Sequence, residues 1–225
     1  PWYSGPALLE LLESLPPTYD VSHEPFRLPV KLVARHQGAA PYAAHPDYRG
    51  YAGKVAGGVL KVGDEVMVLP TGFNTRIVGI DTADGPVAEA FPPMSVTIRL
   101  ADELDISRGD MLCRPNNQPS VGQDIEAMVC WMDERAMLRP GAKLAIKHTT
   151  RVARALVREL NYRLDVTTLH REEGIGALGL NEIGRIRLRS TQPLFTDSYS
   201  RNRATGGFIL IDEATHRTVA AGMII

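Results

Sequence analysis

Hydrophobic residues in the first half of the chain come in short alternating runs. Val66 and Val68, then Val96, Ile98 and Leu100, each take every second position, the period of a half-buried strand. The pattern predicts strands at 26–35, 50–57, 65–70, 75–81, 95–100 and 110–114, separated by turn pairs such as Gly57-Gly58, Gly63-Asp64, Thr71-Gly72, Asp84-Gly85 and Gly109-Asp110. Pro29 suggests an edge position for the first of these, and the small-residue, proline-containing stretch 36–48 reads as a loop. The alternation resumes later with Ile125, Ala127 and Val129, and strands are expected at 143–149, 151–160, 161–167, 183–190, 207–212 and 217–225. Segment 151–160 would favour helix by propensity alone; its strand neighbours decide for strand. A helix is expected at 4–15, with Ser4 as cap, Pro6 in the first turn, and Leu8, Leu11, Leu12 and Leu15 on one stripe. Pro16-Pro17 ends it. That stripe needs cover, either from the following sheet or from a domain upstream.

Many short strands without long helices between them imply a barrel or sandwich. The pattern breaks at Arg114-Pro115-Asn116-Asn117-Gln118-Pro119, which divides the chain into 1–25 (helix and linker), 26–116 and 117–225. With 225 residues, two ordinary domains fit. The net charge of −1 splits into −4 (10 basic, 14 acidic) for residues 1–116 and +3 (15 basic, 12 acidic) for 117–225. Neither value calls for nucleic acid or an anionic membrane. Cys113 and Cys130 form no CxxC pair, so neither a disulfide framework nor a zinc site is expected. With no signal peptide and no apolar span, a cytoplasmic setting is expected.

The chemical motifs fail their context tests. Gly174-Ile175-Gly176-Ala177-Leu178-Gly179 spells GxGxxG, but a strand is expected after it, where a dinucleotide site needs a helix. Phe208–Glu213 resembles the strand that ends on a Mg²⁺-holding Asp in NTPases, yet the chain has no GxxxxGK[ST] phosphate loop. Arg108-Gly109-Asp110 reads as a turn. The six histidines show no metal spacing, and no acid/base pair stands out, so no catalytic or metal-binding residue is expected. Arg185, Arg187 and Arg189 share one strand face. They need either a cross-strand acidic ladder or an anionic partner.

The run Tyr48-Arg49-Gly50-Tyr51-Ala52-Gly53-Lys54-Val55-Ala56-Gly57-Gly58-Val59-Leu60-Lys61-Val62-Gly63-Asp64-Glu65-Val66 resembles the signature of domain II in translation-factor GTPases. Ile106–Leu112 resembles that domain's closing strand, and Arg217–Ile224 the last strand of domain III. Arg49–Gly53, Asp105–Asp110, Gly207–Asp212, Thr218–Ile224 and the opening Trp2-Tyr3-Ser4-Gly5-Pro6 look like the large, GTPase subunit of bacterial sulfate adenylyltransferase. Loop 36–48 is longer than in many members.

The resemblance implies an all-β chain. Two consecutive small β-barrels of the domain II and domain III type would follow a short helix left from the G domain. It implies a parent that makes adenosine 5′-phosphosulfate and pyrophosphate from ATP and sulfate, coupled to GTP hydrolysis. GTP and Mg would bind only through a G domain absent here, so this chain carries no cofactor site and is inactive alone. Partners would be that G domain, a small adenylyltransferase subunit and, in some members, a C-terminal adenylylsulfate kinase domain. Candidate partner-binding residues are Tyr48, Arg49, Arg185, Arg187 and Arg189. The alternative is domains II and III of a translation GTPase binding tRNA, against which the acidic first half argues.

Overall fold

The computed structural model describes residues 3–15, 22–36 and 48–225; the predicted loop 36–48 lies almost wholly outside them. Nine strands make the first half: β1 (Arg27–His36), β2 (Tyr48–Lys54), β3 (Leu60–Lys61), β4 (Glu65–Leu69), β5 (Phe73–Thr82), β6 (Gly85–Val87), β7 (Glu89–Ala90), β8 (Ser95–Leu100) and β9 (Met111–Cys113). Their order is β4-β9-β1-β2-β8-β5-β6, and β4 also pairs with β5, so six strands close into a ring. The short strands β3 and β7 pair apart from it. Alternation fills the ring: Val66, Val68, Ile77, Ile80, Val96, Ile98 and Leu112 point inward around Tyr51, whose hydroxyl donates to the Leu104 carbonyl at 2.9 Å.

Seven more strands follow: β10 (Ser120–Trp131), β11 (Lys143–His148), β12 (Arg151–Leu164), β13 (Arg171–Glu173), β14 (Ile183–Thr196), β15 (Gly207–Ile211) and β16 (Thr218–Ile224). The order β11-β15-β16-β10-β14-β12-β13 closes through β11–β12 into a second six-strand ring. Its core holds Val129, Trp131, Ile146, Val157, Ile186, Leu188, Phe208 and Leu210. The Trp131 indole N–H donates to the Ala136 carbonyl at 2.7 Å, so the ring can be buried without stranding its polar atom.

Two barrels behind one short helix are what the alternation and the resemblance imply, but several local expectations shift. The helix α1 is only Leu8–Ser14; Ala7, not Ser4, is its N-cap, and no side chain caps it. Its leucines are exposed, Leu8 to 72%, so neither barrel covers the stripe. Pro29 does not mark an edge: β1 lies between β2 and β9, and Pro29 faces Met111 just before a register shift at Val30/Leu32. A bulge tolerates the missing N–H. Strand 161–167 stops at Leu164, because Asp165 turns the chain by accepting from Thr167 N and Thr168 N. Segment 151–160 is strand, where pairing on both sides overrides helix propensity.

Gly222 lies opposite Phe208, and a Cβ there would overlap the ring. Gly222→Ala should destabilise the chain by about 1–3 kcal/mol, because overpacking forces the ring off its rotamer. The denaturation midpoint in urea measures this.

Candidate functional site at the junction of the barrels

The sequence-predicted residues fall into two separate clefts. Tyr48 is buried on β2 and donates to Asp81 Oδ2 at 3.0 Å. Beside it, the half-buried Arg49 guanidinium lies 5.7 Å from the Tyr51 ring centroid. Arg49 faces Arg35 directly across the β1–β2 ladder, and among the described residues neither has an acidic partner; the Arg49 Nε is buried without a hydrogen bond. Like charges placed opposite one another destabilise a sheet. A cavity of about 240 Å³ opens here, lined only by the first barrel.

Arg185, Arg187 and Arg189 stand on the outer face of β14. Arg185 Nε donates to Glu126 Oε1 at 2.9 Å, and Arg189 Nη1 lies 3.0 Å from Asp124 Oδ2. Arg187 sits between Glu126 on β10 (3.8 Å) and Glu159 on β12 (3.4 Å). The acidic ladder therefore answers this row from within the barrel. The exposed Arg158 lines the same cleft as Arg187 and Arg189, so three arginines meet three acids there.

Most of the buried polar atoms converge between the barrels, which sequence reading misses. Arg27 opens β1 at 1% exposure and binds Asp197, just past β14, in a bidentate pair: Nε to Oδ2 and Nη2 to Oδ1, both 2.9 Å. Its Nη1 donates to the Phe26 and Asn117 carbonyls at 2.9 and 2.7 Å. The Thr205 hydroxyl donates to Asp197 Oδ2 at 2.7 Å. Thr205 belongs to a one-turn helix α2 (Arg203–Gly206), capped by the Asn202 side chain, whose Nδ2 reaches the Ala56 carbonyl in the first barrel at 3.0 Å. His148 Nε2 lies 2.7 Å from the Thr205 carbonyl; a carbonyl only accepts, so that nitrogen carries the proton.

A second inter-barrel clamp is Arg151. It donates to the Gly109 and Pro193 carbonyls (2.9 and 3.0 Å) and to Asp110 Oδ1 (2.9 Å), and covers the Phe195 ring at 4.6 Å. The Arg108-Gly109-Asp110 turn is thus an internal dock. Phe195 packs with Leu69, Met111 and Cys113, and burial pushes the Cys113 thiol up to about 11, far from reactive thiolate.

Neither motif with a nucleotide spelling has the parts it would need. Asp212 spends its carboxylate on Thr215, accepting from the backbone N–H and the hydroxyl at 2.7 and 2.6 Å. Leu178 of the glycine run pairs with Leu138, and β14 follows. Among the described residues no three His, Cys, Asp or Glu side chains gather as metal ligands. These residues do not fit GTP with Mg.

Residues 124–225 match the family model described as GTP-eEF1A C-terminal domain-like. Over its full length the chain is 54% identical to "Bifunctional enzyme CysN/CysC" of Mycobacterium tuberculosis, covering 36% of that protein. It is 43% identical to "Sulfate adenylyltransferase subunit 1" of Bacteroides fragilis, covering 45% of it. The chain is similar along its whole length to sulfate adenylyltransferase subunit 1. It spans less than half the length of these curated relatives. Crystal structures of sup35, complexed with GMPPNP or with GDP, superpose at a TM-score of 0.78 with 22% identity, over the whole of this chain and 52% of theirs. They share the fold. No helix among the described residues is long and apolar enough to cross a membrane.

Removing one partner of a buried ion pair leaves the other charge uncompensated. Arg27→Met and Asp197→Leu should each cost about 3–5 kcal/mol, and the double variant less than their sum; chemical denaturation of the four proteins checks this. Burial holds the His148 imidazole below its ordinary pKa, outweighing the opposing pull of the Thr205 hydrogen bond and of Asp197; Arg151 lowers it further. Folded His148 therefore stays neutral where the unfolded chain takes up a proton. Its contribution is complete above the ordinary value near 6.5 and is lost as pH falls below it. Melts at pH 7.5 and 5.5 should show this loss, reduced in His148→Gln.

Proposed function

We propose that this chain is the non-catalytic barrel region of a sulfate adenylyltransferase GTPase subunit. The observation that supports this most is whole-chain identity of 43% to a protein named "Sulfate adenylyltransferase subunit 1" and of 54% to "Bifunctional enzyme CysN/CysC", against 22% to sup35. The parent would couple GTP hydrolysis to making adenosine 5′-phosphosulfate and pyrophosphate from ATP and sulfate in the cytoplasm. GTP and Mg would bind a G domain outside this chain. An adenylylsulfate kinase domain would follow in a bifunctional parent, as the name of the mycobacterial relative suggests.

We take 26–116 and 117–225 as the two domains, with 1–25 as the end of the G domain and its linker. The exposed leucine stripe of α1 suits burial against that G domain. The junction suits transmission: a buried ion pair, a capped helix and an arginine clamp tie the barrels, so a push on one displaces both. Tyr48 and Arg49 would meet the G domain or the small subunit, since Arg49 and Arg35 face each other across the β1–β2 ladder without an acidic partner among the described residues. The Arg185–Arg189 row would be a weaker contact, because its charges are already answered.

A pull-down and titration against the small adenylyltransferase subunit, with total tRNA as competitor, tests the proposal. Binding that tRNA leaves untouched is expected, and Arg49→Glu should weaken it. Salt-sensitive tRNA binding without subunit binding would assign the barrels to a translation GTPase. The purified chain should turn over no GTP; turnover would overturn the non-catalytic reading.

A further inference from the structure

Between the barrels, beside the Asn202–Ala56 contact, lies a cleft of about 370 Å³. This is within the range of small-molecule sites, which favour domain interfaces and combine an apolar lining with a few polar groups. Its walls are Pro29 and Val55 from the first barrel and Pro92-Pro93 from the loop before β8. The second barrel contributes Ala204 of α2 and the turn Thr149-Thr150 between β11 and β12.

Three features of this cleft are not explained by packing. First, the Thr150 Oγ1 is buried with no hydrogen-bond partner, whereas buried hydroxyls are ordinarily satisfied. Second, Thr149 has φ 50°. A β-branched residue rarely adopts that conformation, and two-residue hairpin turns usually place Gly, Asn or Asp there. Strain of this kind collects at ligand sites. Third, the charge is one-sided. Lys31 and Lys54 line the cleft and Arg203 adjoins it, while no acidic residue lines it. No ion pair holds either lysine among the described residues.

We propose that this cleft binds a small organic anion. An apolar, ring-sized body would lie against the prolines and Val55, with one carboxylate, sulfate or phosphate group at Lys31 and Lys54. The Thr150 hydroxyl would make a hydrogen bond to the body or to the anionic group. This site is separate from the Arg49 cleft and the Arg185–Arg189 row, and it does not depend on the sulfate-activation reading.

The probe is 8-anilinonaphthalene-1-sulfonate, titrated by fluorescence into the folded chain and into the full-length protein. Saturable one-to-one binding is expected in both. Lys31→Ala with Lys54→Ala should weaken it by about tenfold, the loss of one or two modest charge contacts. Thr150→Val should weaken it less. Ala204→Phe fills the cleft from an exposed position and should abolish binding, with an unchanged circular dichroism spectrum and melting temperature showing the fold intact. The uncharged N-phenyl-1-naphthylamine should bind more weakly than the sulfonate. Equal binding by the neutral probe, or affinity untouched by the lysine and Ala204 variants, would overturn the proposal. Binding to the chain but not to the full-length protein would also overturn it, by showing that another domain covers the cleft.

Discussion

Arg27 and Asp197 form the interaction on which the rest of the arrangement depends. A guanidinium at 1% exposure is tolerable only with its donors met, and they are met from both halves of the chain: Asp197 and Asn117 on one side, Phe26 on the other. The pair also organises its neighbours. Asp197 fixes Thr205, Thr205 receives His148, and the α2 cap at Asn202 reaches back to Ala56. A weak hydrophobic junction of four side chains thereby acquires a defined orientation, because bidentate pairs restrict angle as well as distance.

That orientation explains how two self-sufficient barrels can act together. Each ring satisfies its own strands, so the second barrel needs nothing from the first to keep its ladder. What it takes from the first is position. The clefts at Arg49 and at Arg187 lie on different barrels, and their relation is fixed by the junction rather than by any contact between them. Pro92-Pro93 and the Thr149-Thr150 turn form a recess beside the same junction, one wall from each barrel.

Much of this architecture is legible in the sequence because strand periodicity is local. Val96, Ile98 and Leu100 announce β8, and Gly184, Ile186 and Leu188 announce the buried face of β14. The Arg185 row needed acids in register, and Asp124, Glu126 and Glu159 supply them, but which strands would neighbour β14 is a fact of topology. The short strands β3, β6, β7 and β13 carry two or three residues each, too few for a period. Pro29 misleads because a bulge can do what an edge does. The junction is the least legible part. Arg27 stands in Phe26-Arg27-Leu28 as an oddity in an apolar run, yet nothing in a single sequence says that its partner comes after Phe195.

The 170 positions between Arg27 and Asp197 also set an order of events during synthesis. The first ring can close once β9 has emerged, since β9 joins β1 to β4. At ordinary elongation rates about half of the roughly ten to thirty seconds that separate the two residues is then still to run before Asp197 is made. Throughout that interval Arg27 must stay hydrated at the rim of a finished barrel, beside Cys113 and Met111. The nascent first barrel therefore carries a wet, half-apolar face that only its own downstream sequence can cover, and a ribosome stalled between the barrels would leave that face open.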